Sequence, residues 1–252
     1  MPLTRWLAEF RHDVMFALRQ LSRAKVFTLI AVTTIALGIG ANSAMFALVD
    51  NTLLRPLPFP DPDRLVMVWE RHATSSRGNA SPLNLQDWNQ RTHAVSLISG
   101  FIGGVGGMVM SGADGTAETV PRQWVLAGVF DVLGIKAVVG RTFLPSDDAQ
   151  RAHVVVLSEG FWRSRFNADP SIVGHDLRLD GNPYTVVGVV PKEAQVIGRT
   201  SMWAMIPIQG APPAARTAYM IHAIGRLKPG VTLDAARADM ATVADGLSLI
   251  HI

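Results

Sequence analysis

The chain has 252 residues, 48% of them hydrophobic and 17% charged, with a formal net charge of +3 and a mean hydropathy of +0.24. That is too apolar for a disordered chain and poorer in charge than the ~25% usual for soluble domains, so a membrane segment is the first feature to seek. There is no cysteine, which excludes disulfides, thiolate metal sites, a cysteine nucleophile and lipid attachment at an N-terminal cysteine.

The first 25 residues hold the basic excess that gives the chain an isoelectric point of about 9.7: Arg5, Arg11, Arg19, Arg23 and Lys25 against Glu9 and Asp13. Residues 55–252 carry 18 basic and 17 acidic side chains and are almost neutral. A nucleic-acid partner is therefore not expected, because a phosphate-binding domain needs its positive charge on the folded part. Within residues 1–25, Leu3, Trp6, Leu7, Phe10, Val14, Ala17, Leu18 and Leu21 recur at helical spacing, and polar side chains fill the other face. The pattern predicts an amphipathic helix able to lie on the inner leaflet or against a protein in the cytoplasm.

From Val26 to Val49 the chain runs 24 residues without a charge, bounded by Lys25 and Asp50, and twelve of these are Val, Ile, Leu, Phe or Met. As a helix it reaches about 36 Å, enough to cross a hydrocarbon core of about 30 Å. Its apolar side chains supply roughly −5 kcal/mol toward insertion before the polar ones are subtracted. The preceding basic cluster places residues 1–25 in the cytoplasm and the chain beyond Asp50 on the far side of the membrane. A cleaved signal peptide is the alternative, with Ala41-Asn42-Ser43 as its cleavage pattern, but its apolar region would be shorter. A buried core helix would seldom run so far uncharged. Ala36, Gly40, Ala44 and Ala47 form nearly a small-xxx-small stripe, a candidate face for packing against partner helices in lipid.

Prolines 56, 58, 60 and 62 alternate along the exit and predict a stiff, extended strap. Arg64–Glu70 reads as a strand, and Pro82–Arg91 as a helix capped near Ser81 with Leu85 and Trp88 on one face. Gly103–Gly107 reads as a flexible turn, Thr119–Val125 as a strand, and Gly128–Leu133 as a short helix ended by Gly134. Val154–Leu157 is a buried strand followed by a helix carrying Phe161, Trp162 and Phe166. Leu177–Leu179, Asp180-Gly181 and Tyr184–Val190 make a hairpin by their turn chemistry. Strands over Ile206–Ile208 and Ile221–Leu227 and a helix over Leu233–Ala244 complete the reading. The uneven alternation predicts a mixed α+β domain, in one lobe or two, rather than a wound parallel sheet.

Recognisable catalytic chemistry is missing. No G-x-x-x-x-G-K-[ST] loop occurs, and Gly38-Ile39-Gly40 lacks the strand and third glycine of a dinucleotide fingerprint. Ser158 lacks the first glycine of a nucleophile elbow and is better explained as a helix cap. The seven histidines show no zinc spacing, and Asp61 with Asp63 and Asp147 with Asp148 read as turn and cap residues rather than a calcium loop. Arg163 and Arg165 read as a solvated helix face. No catalytic, cofactor-binding or metal-ligating residue is therefore assigned.

Several runs carry a family resemblance: Ala17-Leu18-Arg19-Gln20-Leu21, Ala36-Leu37-Gly38-Ile39-Gly40-Ala41-Asn42, and the exit Leu53 to Leu65. Further along come Phe130-Asp131-Val132-Leu133-Gly134, Gly140-Arg141-Thr142-Phe143, Phe161-Trp162 and Leu179 to Val189. Together they resemble the N-terminal part of MacB/FtsX-type ABC transporter permeases with their MacB-like periplasmic core domain. The resemblance implies three segments: a cytoplasmic amphipathic helix (1–25), a transmembrane helix (26–54) and a periplasmic core domain (55–252). It implies a non-enzymatic inner-membrane permease subunit that couples ATPase-driven motion of membrane helices to the external domain by mechanotransmission. Members serve in efflux of macrolides and peptides, in lipoprotein handling or in regulating envelope enzymes. The implied partners are membrane lipid, a separate ABC ATPase that holds the ATP, and a second permease copy. The family has at least four spans and this chain has one, and Ser248–Ile252 break the preceding pattern, so the core domain is expected to be truncated at its C-terminus. The alternatives are a membrane-anchored envelope hydrolase and a single-span sensor or adhesin ectodomain.

Overall fold

A computed structural model describes residues 3–49, 57–72, 75–112, 115–197 and 199–248. The chain divides into two compact units, Met1–Leu57 and Pro58–Ile252. The first holds helices α1 (Leu3–Arg23) and α2 (Lys25–Val49), separated at Ala24, whose amide still bonds the Gln20 carbonyl at 3.1 Å.

The second unit is a mixed α+β domain built on one nine-stranded sheet. Its strands are β1 (Leu65–Val68), β4 (Val95–Ser111), β5 (Ala117–Val125), β6 (Val139–Gly140), β7 (Val154–Ser158), β8 (Asp176–Leu179), β9 (Asn182–Val190), β10 (Met202–Met205) and β11 (Ile221–Leu227). They run in the order β1-β11-β4-β5-β10-β7-β9-β6, and β8 pairs with both β4 and β9. Strand β8 thereby closes a ring, β4-β5-β10-β7-β9-β8, in which β5/β10 and β7/β9 are parallel and the other neighbours antiparallel. Each ring strand contributes to one buried cluster that includes Met110, Val120, Leu157, Leu179, Val186 and Met202. A second cluster on the opposite face joins Phe130, Phe143 and Trp203, with the Trp203 ring edge-on to Phe130 at 5.6 Å. A third packs α3 (Pro82–Arg91) and α7 (Leu233–Ser248) on β11 and the start of β4 through Leu85, Trp88, Ile98, Ile221 and Val243.

Most expected elements form where their local chemistry places them. The Ser81 hydroxyl accepts the Asn84 amide at the start of α3, and Leu85 and Trp88 are buried. Gly128 and Gly134 bracket α4 (Val129–Leu133). Asp180 (φ 47°) and Gly181 (φ 81°) make the two-residue turn between β8 and β9, where both positions need a positive φ. Helix α6 (Glu159–Phe166) follows β7 directly.

Other expectations are corrected. Gly103–Gly107 is not a turn: the 17-residue β4 runs straight through it, with its pairing to β5 shifted between Ile102 and Gly106. The Gln123 side-chain amide holds that bulge by donating to the Ile102 and Gly103 carbonyls at 3.2 and 2.9 Å. The glycines thus bend one strand, whose first half serves the α3/α7 cluster and whose second half serves the ring. Ile206–Ile208 is not a strand: β10 ends at Met205, Pro207 has no amide to give, and the Asp148 carboxylate takes the amides of Ile208 and Gln209 at 2.7 and 3.0 Å. Arg64–Glu70 is split, since β1 ends at Val68 and β2 (Glu70–His72) turns away to pair with β3 (Ser75–Gly78). The strap is not extended over its described part: Pro58–Asp61 form a run of bends, Asp61 takes a left-handed φ of 47°, and Pro62–Arg64 coil into a 3-10 turn. Helix α7 continues four residues past Ala244, while residues 249–252 and the start of the strap, 50–56, lie outside the described residues. Strands β3, β6 and β10 and helix α5 (Pro145–Ala149) are not expected from the sequence.

Candidate functional site

In α2 the apolar residues are exposed on every side. Val26, Phe27, Leu29, Leu37, Ile39 and Phe46 are each between 63% and 73% exposed. Lys25–Ala47 is long and apolar enough to cross a membrane, and none of its most apolar window is buried. A helix that is hydrophobic all round belongs in a nonpolar surrounding. Its backbone is already bonded within the helix, as a nonpolar medium requires, and Thr34 Oγ1 donates to the Ile30 carbonyl at 2.9 Å. The stripe residues Ala36, Gly40, Ala44 and Ala47 are exposed, and a Cβ added at Gly40 would meet nothing within 4 Å. In the first unit, Arg11, Arg19, Arg23 and Lys25 are exposed ahead of the apolar run.

Ser158 sits at the strand-to-helix corner, 3% exposed, where its hydroxyl accepts the Phe161 amide at 3.3 Å. That is the cap predicted from sequence. An open groove beside it is lined by Phe161, Ser164, Lys192, Arg199 and Thr200 among others, with no histidine or carboxylate in its described lining. Four histidines are held elsewhere: His153 stacks on Tyr184, His222 on Phe101, His175 Nδ1 meets the Ser171 carbonyl, and the His93 amide donates to Asp239. The described residues therefore do not bring Ser158, a histidine and a carboxylate together, and among them no three potential metal ligands cluster.

The acidic pairs have specific structural work. Burial disfavours the Asp147 carboxylate. The hydrogen bond from Arg141, the Leu144 amide and the charge of Arg141 outweigh it and leave the pKa below the ordinary range. Asp239 on α7 behaves alike. Its burial is outweighed by the Thr92 hydroxyl at 2.6 Å and the Ala94 and His93 amides, so this one carboxylate ties α7 to the loop between α3 and β4. Arg163 and Arg165 are solvated; Arg163 meets the half-buried Glu159 carboxylate and Arg165 the exposed Glu118 carboxylate.

The remaining feature is the place where the strap enters the domain. The Phe59 side chain is 7% exposed and belongs to the cluster of Val129, Phe130 and Val132. Arg226 of β11 donates from Nε to the Val132 carbonyl at 2.6 Å and from Nη1 to the Pro60 carbonyl at 2.9 Å. Arg64 donates in the other direction, from Nε to the Leu227 carbonyl at 2.9 Å. Burial and the neighbouring Arg64 charge lower the Arg226 pKa, and Asp61 opposes them. The sequence reading passed over both Phe59 and Arg226; the available signal was a single cation within the apolar run Ile221–Leu227.

A family model described as the MacB-like periplasmic core domain matches residues 28–243. The periplasmic region of MacB from Actinobacillus actinomycetemcomitans is similar in fold, with a TM-score of 0.52 and 19% identity over 74% of this chain and 83% of that one. A domain of a putative permease protein from Porphyromonas gingivalis aligns with a TM-score of 0.52 and 16% identity over 74% of this chain and 82% of that one. No curated protein matches the chain in sequence.

Proposed function

The chain belongs to the MacB-like periplasmic core domain family of ABC-transporter permeases, and from that membership we propose that it is the N-terminal part of a permease subunit working by mechanotransmission. In this reading α2 anchors the chain in the inner membrane, residues 1–25 stay in the cytoplasm, and the mixed α+β domain stands outside it. ATP is bound and hydrolysed on a separate ATPase subunit, and a second permease copy completes the assembly. Ala36, Gly40, Ala44 and Ala47 give neighbouring membrane helices a close approach. The cargo is exported or expelled on the outer side, and the chain itself performs no bond-making chemistry.

The observation that carries this reading is the family match, which begins at Thr28 inside the apolar helix and runs to Val243 in the last helix. The exposed apolar surface of α2 supports the anchoring role, because soluble domains rarely leave so large an apolar surface uncovered. The test is purification of the full-length gene product, solubilised in mild detergent, from its native cells. An ATPase subunit should copurify and its ATP hydrolysis should respond to the permease. Recovery of the chain with no ATPase, or with a hydrolase activity of its own, contradicts the proposal.

A further inference from the structure

An arginine inside a strand whose residues are buried apart from it and His222 needs a reason, because its donors lose water unless acceptors replace it. In β11, Ile221, Ala223, Ile224, Gly225 and Leu227 are all buried, and Arg226 lies among them half-buried. Its guanidinium reaches carbonyls on two separate segments: Val132 near the carboxyl end of α4, and Pro60 with Asp61 of the strap at 2.9 and 3.4 Å. Arg64, at the end of the strap, returns a bond to the backbone of the same strand at Leu227 and pairs with Asp61 at 3.1 Å. The two arginines lace strap and strand together from both sides. Contact is close as well as polar: a Cβ added at Gly134, where φ is +71°, would lie 3.1 Å from the Pro60 ring. Phe59 plugs the cluster beneath. A strap that served only as a tether would need none of this.

We propose that Arg226 is a positioning residue that locks the entry strap to the last strand of the sheet, so that strap, β11 and the end of α4 move as one body. Displacement of the membrane segment then reaches the sheet instead of being absorbed by a swinging linker. That consequence rests on the permease reading, whereas the lock itself does not. A planar fork with several fixed donors suits carbonyls on different segments; a lysine ammonium can reach only part of the set.

Because the chain has no cysteine, a single nitroxide can be placed at Leu57→Cys, in the strap, with a control at Asp234→Cys on α7. Spectra are recorded on the full chain in phospholipid nanodiscs without any ATPase. With Arg226 present the label at 57 should be slow. In R226Q it should gain a fast component severalfold more mobile, R226K should fall between, and the control should not change. An unchanged spectrum at 57 in R226Q overturns the lock, and so does equal loosening at both positions. Should R226Q not fold, Gly134→Ala keeps the arginine but crowds Pro60. Mobility gained at 57 in that variant supports the lock, and an immobile label overturns it. These spectra leave the permease reading untouched, and loss of ATPase copurification would leave the lock untouched.

Discussion

Helix α2 and strand β7 are made of the same kind of residue and meet opposite fates. Every residue of β7, Val154 to Ser158, is buried by protein, whereas the large apolar side chains of α2 stand mostly exposed. Both segments have bonded backbones, so hydrogen bonding does not separate them. Periodicity and length do: the five residues of β7 lie between two neighbouring strands and are enclosed by the sheet and its helices, whereas the 24 uncharged residues after Lys25 keep large apolar side chains exposed on every side. The difference teaches that the apolar excess of this chain divides between a segment its own core encloses and a segment left exposed, which the permease reading assigns to a membrane.

Substitutions can break that comparison on either side. The largest effect is expected from Trp203→Ala in the domain. The ring is fully buried against Phe130, and its loss should cost about 3–5 kcal/mol of domain stability. Thermal melting should drop while the share of chain in membranes resists alkaline extraction as before. Next is Leu37→Arg in α2, where an arginine near the centre of the span costs about 3 kcal/mol of insertion. Here the membrane share should fall and domain melting should hold. The same arginine at Val138, 49% exposed on the domain, should change neither measurement.

Acid sharpens the comparison, because two carboxylates of the domain are held ionised by their partners. Asp147 and Asp239 have folded-state pKa values below those of an unfolded chain. Their contribution is therefore fully present above about pH 5 and is lost as pH falls through the depressed folded values. Melting temperature should decline on that limb, and D147N with D239N should flatten it while lowering the neutral-pH value. For Asp147→Asn the loss at pH 7 should be about 1–3 kcal/mol, since the Arg141 and Leu144 donors lose a charged acceptor. The smallest effect is expected at Arg163→Ala: its pair with Glu159 is exposed and one turn apart on α6, so stability should move by less than about 0.5 kcal/mol.

Legibility in the sequence followed how local the cause was. The Ser81 and Ser158 caps, the Asp180-Gly181 turn and the apolar run of α2 are fixed by residues within a few positions, and each could be read directly. Gly103–Gly107 could not, because nothing within that run says that β5 and the Gln123 amide keep it in a strand. Ile206–Ile208 has strand composition, but a carboxylate 60 positions away takes the Ile208 amide. The same limit hid the strap joint. Arg226 and Pro60 are 166 positions apart, and nothing near either residue points to the other. The family resemblance, drawn from many short runs, reached further than any single element and agrees with the matched family model.

The central claim is that α2 crosses the membrane once, with its basic end inside. Alkaline phosphatase, active only outside the cytoplasm, tests it most directly when fused after Arg64 and, separately, after Arg11. Activity from the first fusion and none from the second is the expected result. Activity after Arg11, silence after Arg64, or an active product released from the membrane would contradict it.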